Sequence, residues 1–115
     1  MSKEFLKNAK RTISKNEEIE EIDIESDFCK YAKFKKCLAI KLVLLNLKGF
    51  PDRTVLCPNG KLFFIEFKKP KKKKPLSPLQ IKWKNILENF GFTYHHCNDL
   101  EDAKTKLDVF LQENI

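Results

Sequence analysis

Two acidic residues, Asp52 and Glu66, flank a turn in the middle of the chain. The residues on both sides of the turn are rich in β-branched and aromatic types, which predicts two β-strands, and Pro58-Asn59-Gly60 favours the reversal because Asn and Gly tolerate positive φ. A three-residue loop at 58–60 places Asp52 opposite Glu66, with Cβ atoms about 5 Å apart. A two-residue loop would still leave the acids as neighbours. Lys68 lies two residues beyond Glu66 and therefore points to the same face of the sheet.

Two carboxylates at this separation repel each other. With an effective dielectric constant near 20, the repulsion at about 4 Å is on the order of 4 kcal/mol. A divalent metal ion would relieve it, because Mg²⁺ is commonly held by one or two carboxylates together with substrate phosphate oxygens. The alternative is a structural pair whose charge is neutralised by Arg53 and Lys68.

The distribution of charge points to an anionic ligand. The formal net charge is +7, but residues 28–84 contain sixteen basic and two acidic side chains, whereas residues 1–27 and 85–115 carry net charges of −3 and −4. The two acids within the basic region are Asp52 and Glu66. A basic surface around one acidic pair indicates a polyanion ligand with a metal held against it.

The chain has the composition of one globular domain. Its 115 residues allow a modest core. No run is long and apolar enough for a membrane span or a signal peptide, so we expect an intracellular protein with no membrane partner. The four cysteines lack Cys-x-x-Cys spacing, which favours reduced thiols. His95-His96-Cys97 is disfavoured as a metal cluster because adjacent strand residues point to opposite faces.

The predicted elements follow the order α-β-β-β-α-β-α. We expect a flexible basic arm over residues 1–13 and one domain over residues 14–115. Ser14 and Glu17 form a capping-box pattern for a first helix. Later signals are an N-cap at Ser77 and a C-terminal stop at Gly91. The elements are a helix to about Phe34, a buried strand Cys37–Leu45, the hairpin, a helix from Ser77 to about Phe90, a strand Phe92–Cys97 and a helix capped by Asp99 or Asn98.

Lys41 and two helix acids could belong to the acidic site. Lys41 interrupts the predicted buried strand. Its charge must therefore either pair with the acidic residues or lie where the strand is open to solvent. At 100° per residue, Glu21 and Glu25 share a stripe with the apolar positions 22, 28, 29 and 32. An acid on a core-facing stripe is costly unless it is paired. Either Glu21 or Glu25 is therefore a candidate third metal ligand, and the alternative is that both are solvated.

A lysine-rich loop leaves the strand that carries Glu66 and Lys68. Prolines and a run of like charges disfavour regular structure there. Such a loop can lie along phosphates and increase affinity without reading sequence. A nuclear-localisation signal or a solvated loop would have the same composition. The basic residues of this loop are Lys69, Lys71, Lys72, Lys73 and Lys74.

The ordered set of these residues resembles a known nuclease family. Pro51-Asp52 followed by Glu66-Phe67-Lys68 matches the PD-(D/E)XK nuclease signature. The wider pattern, over residues 18–105, resembles the VRR-NUC (virus-type replication-repair nuclease) family. It comprises Gly49-Phe50-Pro51-Asp52-Arg53, a Pro-Asn-Gly hairpin, Phe64-Ile65-Glu66-Phe67-Lys68-Lys69-Pro70, Ser77-Pro78-Leu79-Gln80, Gly91-Phe92, and Glu21 and Lys41 at the positions of a helix acid and a strand lysine.

The resemblance implies a restriction-endonuclease-like α/β core with a central mixed sheet flanked by helices. It also implies Mg²⁺- or Mn²⁺-dependent hydrolysis of DNA phosphodiesters. By position, Asp52, Glu66 and the carbonyl of Phe67 would bind metal, with Glu21 as a further ligand and Glu25 as the second choice. Lys68 would orient or deprotonate the attacking water, and Gln80 would contact substrate or position the site. Lys41, Arg53 and the loop lysines would contact DNA.

The size of the chain refines the expected substrate. Small stand-alone members resemble Holliday-junction resolvases, which implies a homodimer that cuts branched DNA in replication or repair, in a phage or bacterium and without a small-molecule cofactor. A different class of function is a non-catalytic DNA-binding module, which would tolerate loss of Asp52, Glu66 or Lys68. A third is a nuclease subunit of a larger assembly.

Overall fold

The computed structural model describes residues 17–43, 45, 47–69 and 75–115, with side chains from residue 22 onward. The described elements confirm the predicted order. They are α1 (Glu17–Phe34), β1 (Leu38–Ile40), β2 (Arg53–Leu56), a 3-10 turn (Pro58–Gly60), β3 (Leu62–Phe67), α2 (Pro78–Asn89), β4 (Thr93–Cys97) and α3 (Leu100–Asn114). The predicted arm at residues 1–13, its boundary and the helix cap at Ser14 lie outside the described residues.

The strands described form a mixed four-stranded sheet in the order β1-β2-β3-β4. The first two pairings are antiparallel and β3 pairs with β4 in parallel. Arg53 faces Ile65 in the β2–β3 register, as the three-residue loop requires. Asn59 (φ 64°) and Gly60 (φ 73°) supply the positive φ angles of that loop. The hairpin prediction is therefore confirmed.

The two faces of the sheet are covered by different helices. On the face toward α1 and α3, the alternate β3 residues Phe63, Ile65 and Phe67 are fully buried. On the other face, hereafter the α2 face, Phe64 packs with Leu87 and with Tyr94 of β4. Because side chains alternate along a strand, Glu66 and Phe64 share the α2 face. The mixed sheet flanked by helices is thus as expected.

The predicted strand Cys37–Leu45 is wrong in length and burial. Among the residues of this run that the structure describes, only Leu38–Ile40 form a strand, and Val43 and Leu45 are 85% and 93% exposed. The pairing with β2 ends at Ile40 opposite Thr54, close to the point where β2 begins, so the later residues have no β2 partner. Lys41 is exposed just after β1, which matches the solvent alternative and not a partnership with the acids. Ile22, placed on the core stripe of α1, is 60% exposed.

A close approach at Gly49 fixes the loop before β2 against α2. Gly49 has φ +84°, and a Cβ there would lie 2.6 Å from the Leu79 Cβ and 2.7 Å from its backbone carbon. The Trp83 indole donates to the Lys48 carbonyl at 3.1 Å, and its ring lies 5.2 Å from that of Phe50. Only glycine fits this contact, which holds the segment leading to Asp52 on the helix that carries Gln80.

Candidate active site

Asp52 and Glu66 lie next to each other at the start of β2, where β3 extends beyond the end of its neighbour. Arg53 pairs with Ile65 in the β2–β3 register. One residue further along each strand, Asp52 therefore lies opposite Glu66. The Phe67 amide donates to Asp52 Oδ2 at 2.8 Å. The carboxylate therefore satisfies a backbone donor of β3 beyond the end of the β2 ladder, which fixes the position of Asp52.

Glu66 is a buried acid in an environment that disfavours its negative charge. It is 4% exposed. Burial, and then the charge of Asp52 and a hydrogen bond shared with that side chain, raise its pKa to about 9, against an opposing influence of Lys68. Near neutral pH and without a cation, the pair therefore keeps a proton that it would give up to a bound divalent ion.

Gln80 connects Glu66 to Lys68. Its Nε2 donates to Glu66 Oε2 at 3.1 Å, and its Oε1 accepts from Lys68 Nζ at 2.8 Å. Oε1 also accepts from the Ser77 amide at 2.8 Å, within the capping box that begins α2. Because two donors fix the oxygen end, the amide can present only its nitrogen to Glu66. The start of α2 thus holds the acid and the lysine in one arrangement.

Glu25 and Arg53 form a separate pair. Arg53 Nε donates to Glu25 Oε2 at 2.6 Å, and Nη1 reaches the Ala39 carbonyl at 3.4 Å. Arg53 follows Asp52 in the chain and points to the opposite face. In the structure Arg53 therefore neutralises Glu25 and not the acidic pair, and the second-choice role of Glu25 as a metal ligand stays a prediction. The side chain of Glu21 lies outside those described.

The two carboxylates fit an ion that completes its shell from substrate and solvent. One oxygen of each is engaged by a protein donor, Phe67 on Asp52 and Gln80 on Glu66, so the other oxygen of each can bind a cation. Among the described side chains, no group of three His, Cys, Asp or Glu residues could hold a metal. Carboxylate oxygens are ligands that Mg²⁺ accepts together with substrate oxygens and water. The role of the Phe67 carbonyl remains a prediction.

The predicted DNA-contacting lysines are only partly described. Lys41 is exposed after β1, and Lys69 is half-buried after β3. Lys71, Lys72, Lys73 and Lys74 lie outside the described residues. In the part of the chain that the structure describes, no helix is both long and apolar enough to cross a membrane.

The structure adds two β4 residues that the sequence reasoning did not place at the site. Tyr94 faces Phe64 and His96 faces Glu66 in the parallel register, so both lie on the α2 face. His95 points the other way, where its ring lies 5.9 Å from that of Phe63. The spacing of Tyr94 and His96 shows that they share a face. The sequence does not show that β4 pairs with β3, and this pairing is what brings the two residues to the site.

Comparisons with known proteins agree with this geometry. The family model for the VRR-NUC domain matches residues 16–99. A solved structure described as a VRR_NUC domain superposes with a TM-score of 0.60 at 25% identity, over 80% of this chain and 98% of that chain. No curated relative matches the chain. The match covers most of the chain, including Asp52, Glu66, Lys68 and Gln80, and the chain therefore belongs to the VRR-NUC family of nuclease-type domains.

Proposed function

We propose that this protein is a Mg²⁺- or Mn²⁺-dependent endodeoxyribonuclease that hydrolyses phosphodiester bonds in branched DNA. The observation that carries the proposal is the linked set Asp52, Glu66, Gln80 and Lys68. It combines a carboxylate pair suited to a divalent ion with a lysine held beside it.

Each residue has a role that follows from its contacts. The carboxylates of Asp52 and Glu66 would hold the ion, which would supply Lewis-acid polarisation and an activated water. Lys68 Nζ, fixed by Gln80, orients the nucleophile and stabilises negative charge that builds on the phosphate. Gln80 thereby fixes the position of Lys68 relative to Glu66. Glu21 is the proposed additional ligand by family position.

The preference for branched DNA and the homodimer are proposed from the family resemblance and the charge pattern. Two symmetric sites suit two symmetric cuts across a junction. The net +14 of residues 28–84 gives affinity for phosphates without base recognition. We also expect the protein to act inside a bacterial or phage-infected cell, where such DNA intermediates arise.

The test is cleavage of a labelled panel of four-way junction, flap, single strand and linear duplex with Mg²⁺ or Mn²⁺. The variant is Lys68→Ala, and the matched control is Lys82→Ala, which removes the same charge from an exposed position of α2. We expect paired nicks near the junction, abolished by Lys68→Ala and retained by Lys82→Ala.

Two other outcomes would change the proposal. Equal cutting of every substrate would leave a nuclease without branch selectivity. Binding without cutting, under either metal, would contradict the enzyme proposal for the isolated chain and favour a DNA-binding module or a subunit. Sedimentation velocity of the same samples tests the dimer.

A further inference from the structure

Two buried hydroxyls lack a hydrogen-bond partner, and both lie on the α2 face. Among the described side chains, the buried oxygen and nitrogen atoms without a partner are Thr54 Oγ1 and Tyr94 Oη. Thr54 and Tyr94 are 5% and 6% exposed, and the sheet register places one on each side of Phe64. An unpaired buried hydroxyl is unfavourable, and such groups in native proteins call for an explanation. Their shared location suggests one cause.

The row that contains these hydroxyls is next to the acidic pair. Thr54 of β2 follows Asp52 by two residues. Tyr94 of β4 precedes His96, the residue that faces Glu66, by two residues. The two rows therefore share the α2 face. Burial raises the pKa of the Tyr94 hydroxyl, and the negative charges of Glu66 and Asp52 raise it further. The phenol is thus a neutral donor within electrostatic range of both carboxylates.

We infer that Tyr94 is a positioning residue of the active site, whose hydroxyl donates to an oxygen of the ion-loaded site. That oxygen belongs to the Glu66 carboxylate or to a water molecule beside it. The inference rests on the proposed function, because it requires a cation between the carboxylates. A carboxylate can accept several hydrogen bonds, and Gln80 fills only part of the acceptor capacity of Glu66. Gln80 supplies one donor to Glu66, and the Tyr94 hydroxyl, which has no partner among the described residues, is available as another.

The only other tyrosine of the chain is a matched control. The Tyr31 hydroxyl donates to the Asp108 carboxylate at 2.7 Å, between α1 and α3. Phenylalanine in place of either tyrosine removes one oxygen and keeps the ring. Tyr31→Phe breaks a hydrogen bond between two helices of the fold. Tyr94→Phe removes a hydroxyl that has no hydrogen-bond partner among the described residues.

The experiment compares Tyr94→Phe, Tyr31→Phe and the unaltered protein. Thermal unfolding is measured without metal, Mn²⁺ affinity by electron paramagnetic resonance, and junction cleavage by steady-state kinetics. We expect Tyr94→Phe to melt at or slightly above the temperature of the unaltered protein, to bind Mn²⁺ about tenfold more weakly, and to lose kcat with KM for DNA unchanged. Tyr31→Phe should melt lower and bind Mn²⁺ normally.

The outcomes separate this inference from the proposed function. Normal Mn²⁺ affinity and normal cleavage in Tyr94→Phe would overturn the inference and leave the nuclease intact. A melting temperature lowered as far as in Tyr31→Phe would also overturn it, since the hydroxyl would then serve the fold. Failure of the unaltered protein to bind Mn²⁺ would overturn both. Mn²⁺ binding without cleavage would contradict the nuclease alone, and the affinity of Tyr94→Phe would still decide the role of Tyr94.

Discussion

On the face of the sheet covered by α1 and α3, Phe28, Phe63 and Leu107 are fully buried. The described polar side chains on this side include two pairs, Arg53 with Glu25 and Tyr31 with Asp108. The α2 face has a smaller apolar cluster, a buried acid that favours its protonated form, and two buried hydroxyls without partners. The first face is therefore mainly apolar core. The second carries unfavourable groups that a cation and its waters would satisfy, as is common at functional sites.

The largest expected effect is on activity. Asp52→Asn keeps an oxygen that can accept from the Phe67 amide but removes a negative charge from the ion site. We expect cleavage to fall at least about 1,000-fold, equivalent to about 4 kcal/mol in the activation barrier, while the thermal unfolding temperature without metal does not fall. Single-turnover cleavage and calorimetry of the same sample measure the two quantities.

A matching change on the opposite face sharpens the comparison. Asp108→Asn removes the same charge near Tyr31 and should leave cleavage within about twofold. Comparable losses of activity in both variants would show that the acid at position 52 has no special role.

The second effect is a pH dependence of stability in the metal-free protein. The pKa of Glu66 is raised to about 9 in the folded state, against about 4.5 when unfolded. Its favourable contribution is therefore fully present below about pH 4.5 and is lost as pH rises toward 9. Between pH 5 and 8 we expect the free energy of unfolding to fall by roughly 4 kcal/mol.

Glu66→Gln removes this dependence and separates it from other titrations. Glutamine is the neutral counterpart of the protonated acid, so the variant should be more stable than the unaltered protein at pH 8 and similar at pH 5. Glu88→Gln, on the exposed side of α2, is the control and should keep the original pH slope. Urea unfolding at several pH values tests this, and a flat profile for the unaltered protein would contradict the buried, protonated Glu66.

The third effect concerns how the loop before β2 is held on α2. Gly49→Ala places a Cβ within 2.7 Å of the Leu79 backbone at a positive φ, whereas Gly91→Ala meets a similar φ of +89° with open space around it. We expect Gly91→Ala to cost about 1 kcal/mol and Gly49→Ala about 2 kcal/mol more. Equal losses in urea unfolding would show that the contact with Leu79 is not tight in solution.

Sequence reasoning predicted those parts of the site that depend on local periodicity. The hairpin register follows from the turn at Pro58–Gly60, and that register alone brings Asp52 to Glu66. The N-cap at Ser77 predicted the start of α2 and so placed Gln80 in the first turn of that helix. The family resemblance, and not the local pattern, implied that Gln80 belongs to the site. These elements are specified by residues close together in the chain.

The parts that sequence reasoning missed depend on which strands are neighbours. The apolar run after Ile40 was predicted to continue the strand. The partner strand begins only at Arg53, so Leu42, Val43 and Leu45 are exposed. Tyr94 and His96 join the site only because β4 pairs in parallel with β3. Glu25 lies on the predicted helix stripe, but its carboxylate accepts a hydrogen bond from Arg53 of β2, so its partner is that arginine and not the acidic pair. A local pattern gives the direction of a side chain along its own element but not its partner in the fold.

The smallest expected effect tests which helix acid belongs to the site. Glu25 is held by Arg53 on the face away from the acidic pair, so Glu25→Gln should leave cleavage and Mn²⁺ affinity within about threefold. Because glutamine keeps a hydrogen-bond acceptor for Arg53, the loss of stability should be about 1 kcal/mol. Glu21→Gln is the matched variant one turn earlier, and the family position predicts that it loses most of its activity. Loss of activity on changing Glu25 but not Glu21 would reverse the assignment and would require Arg53 to release Glu25 when metal binds.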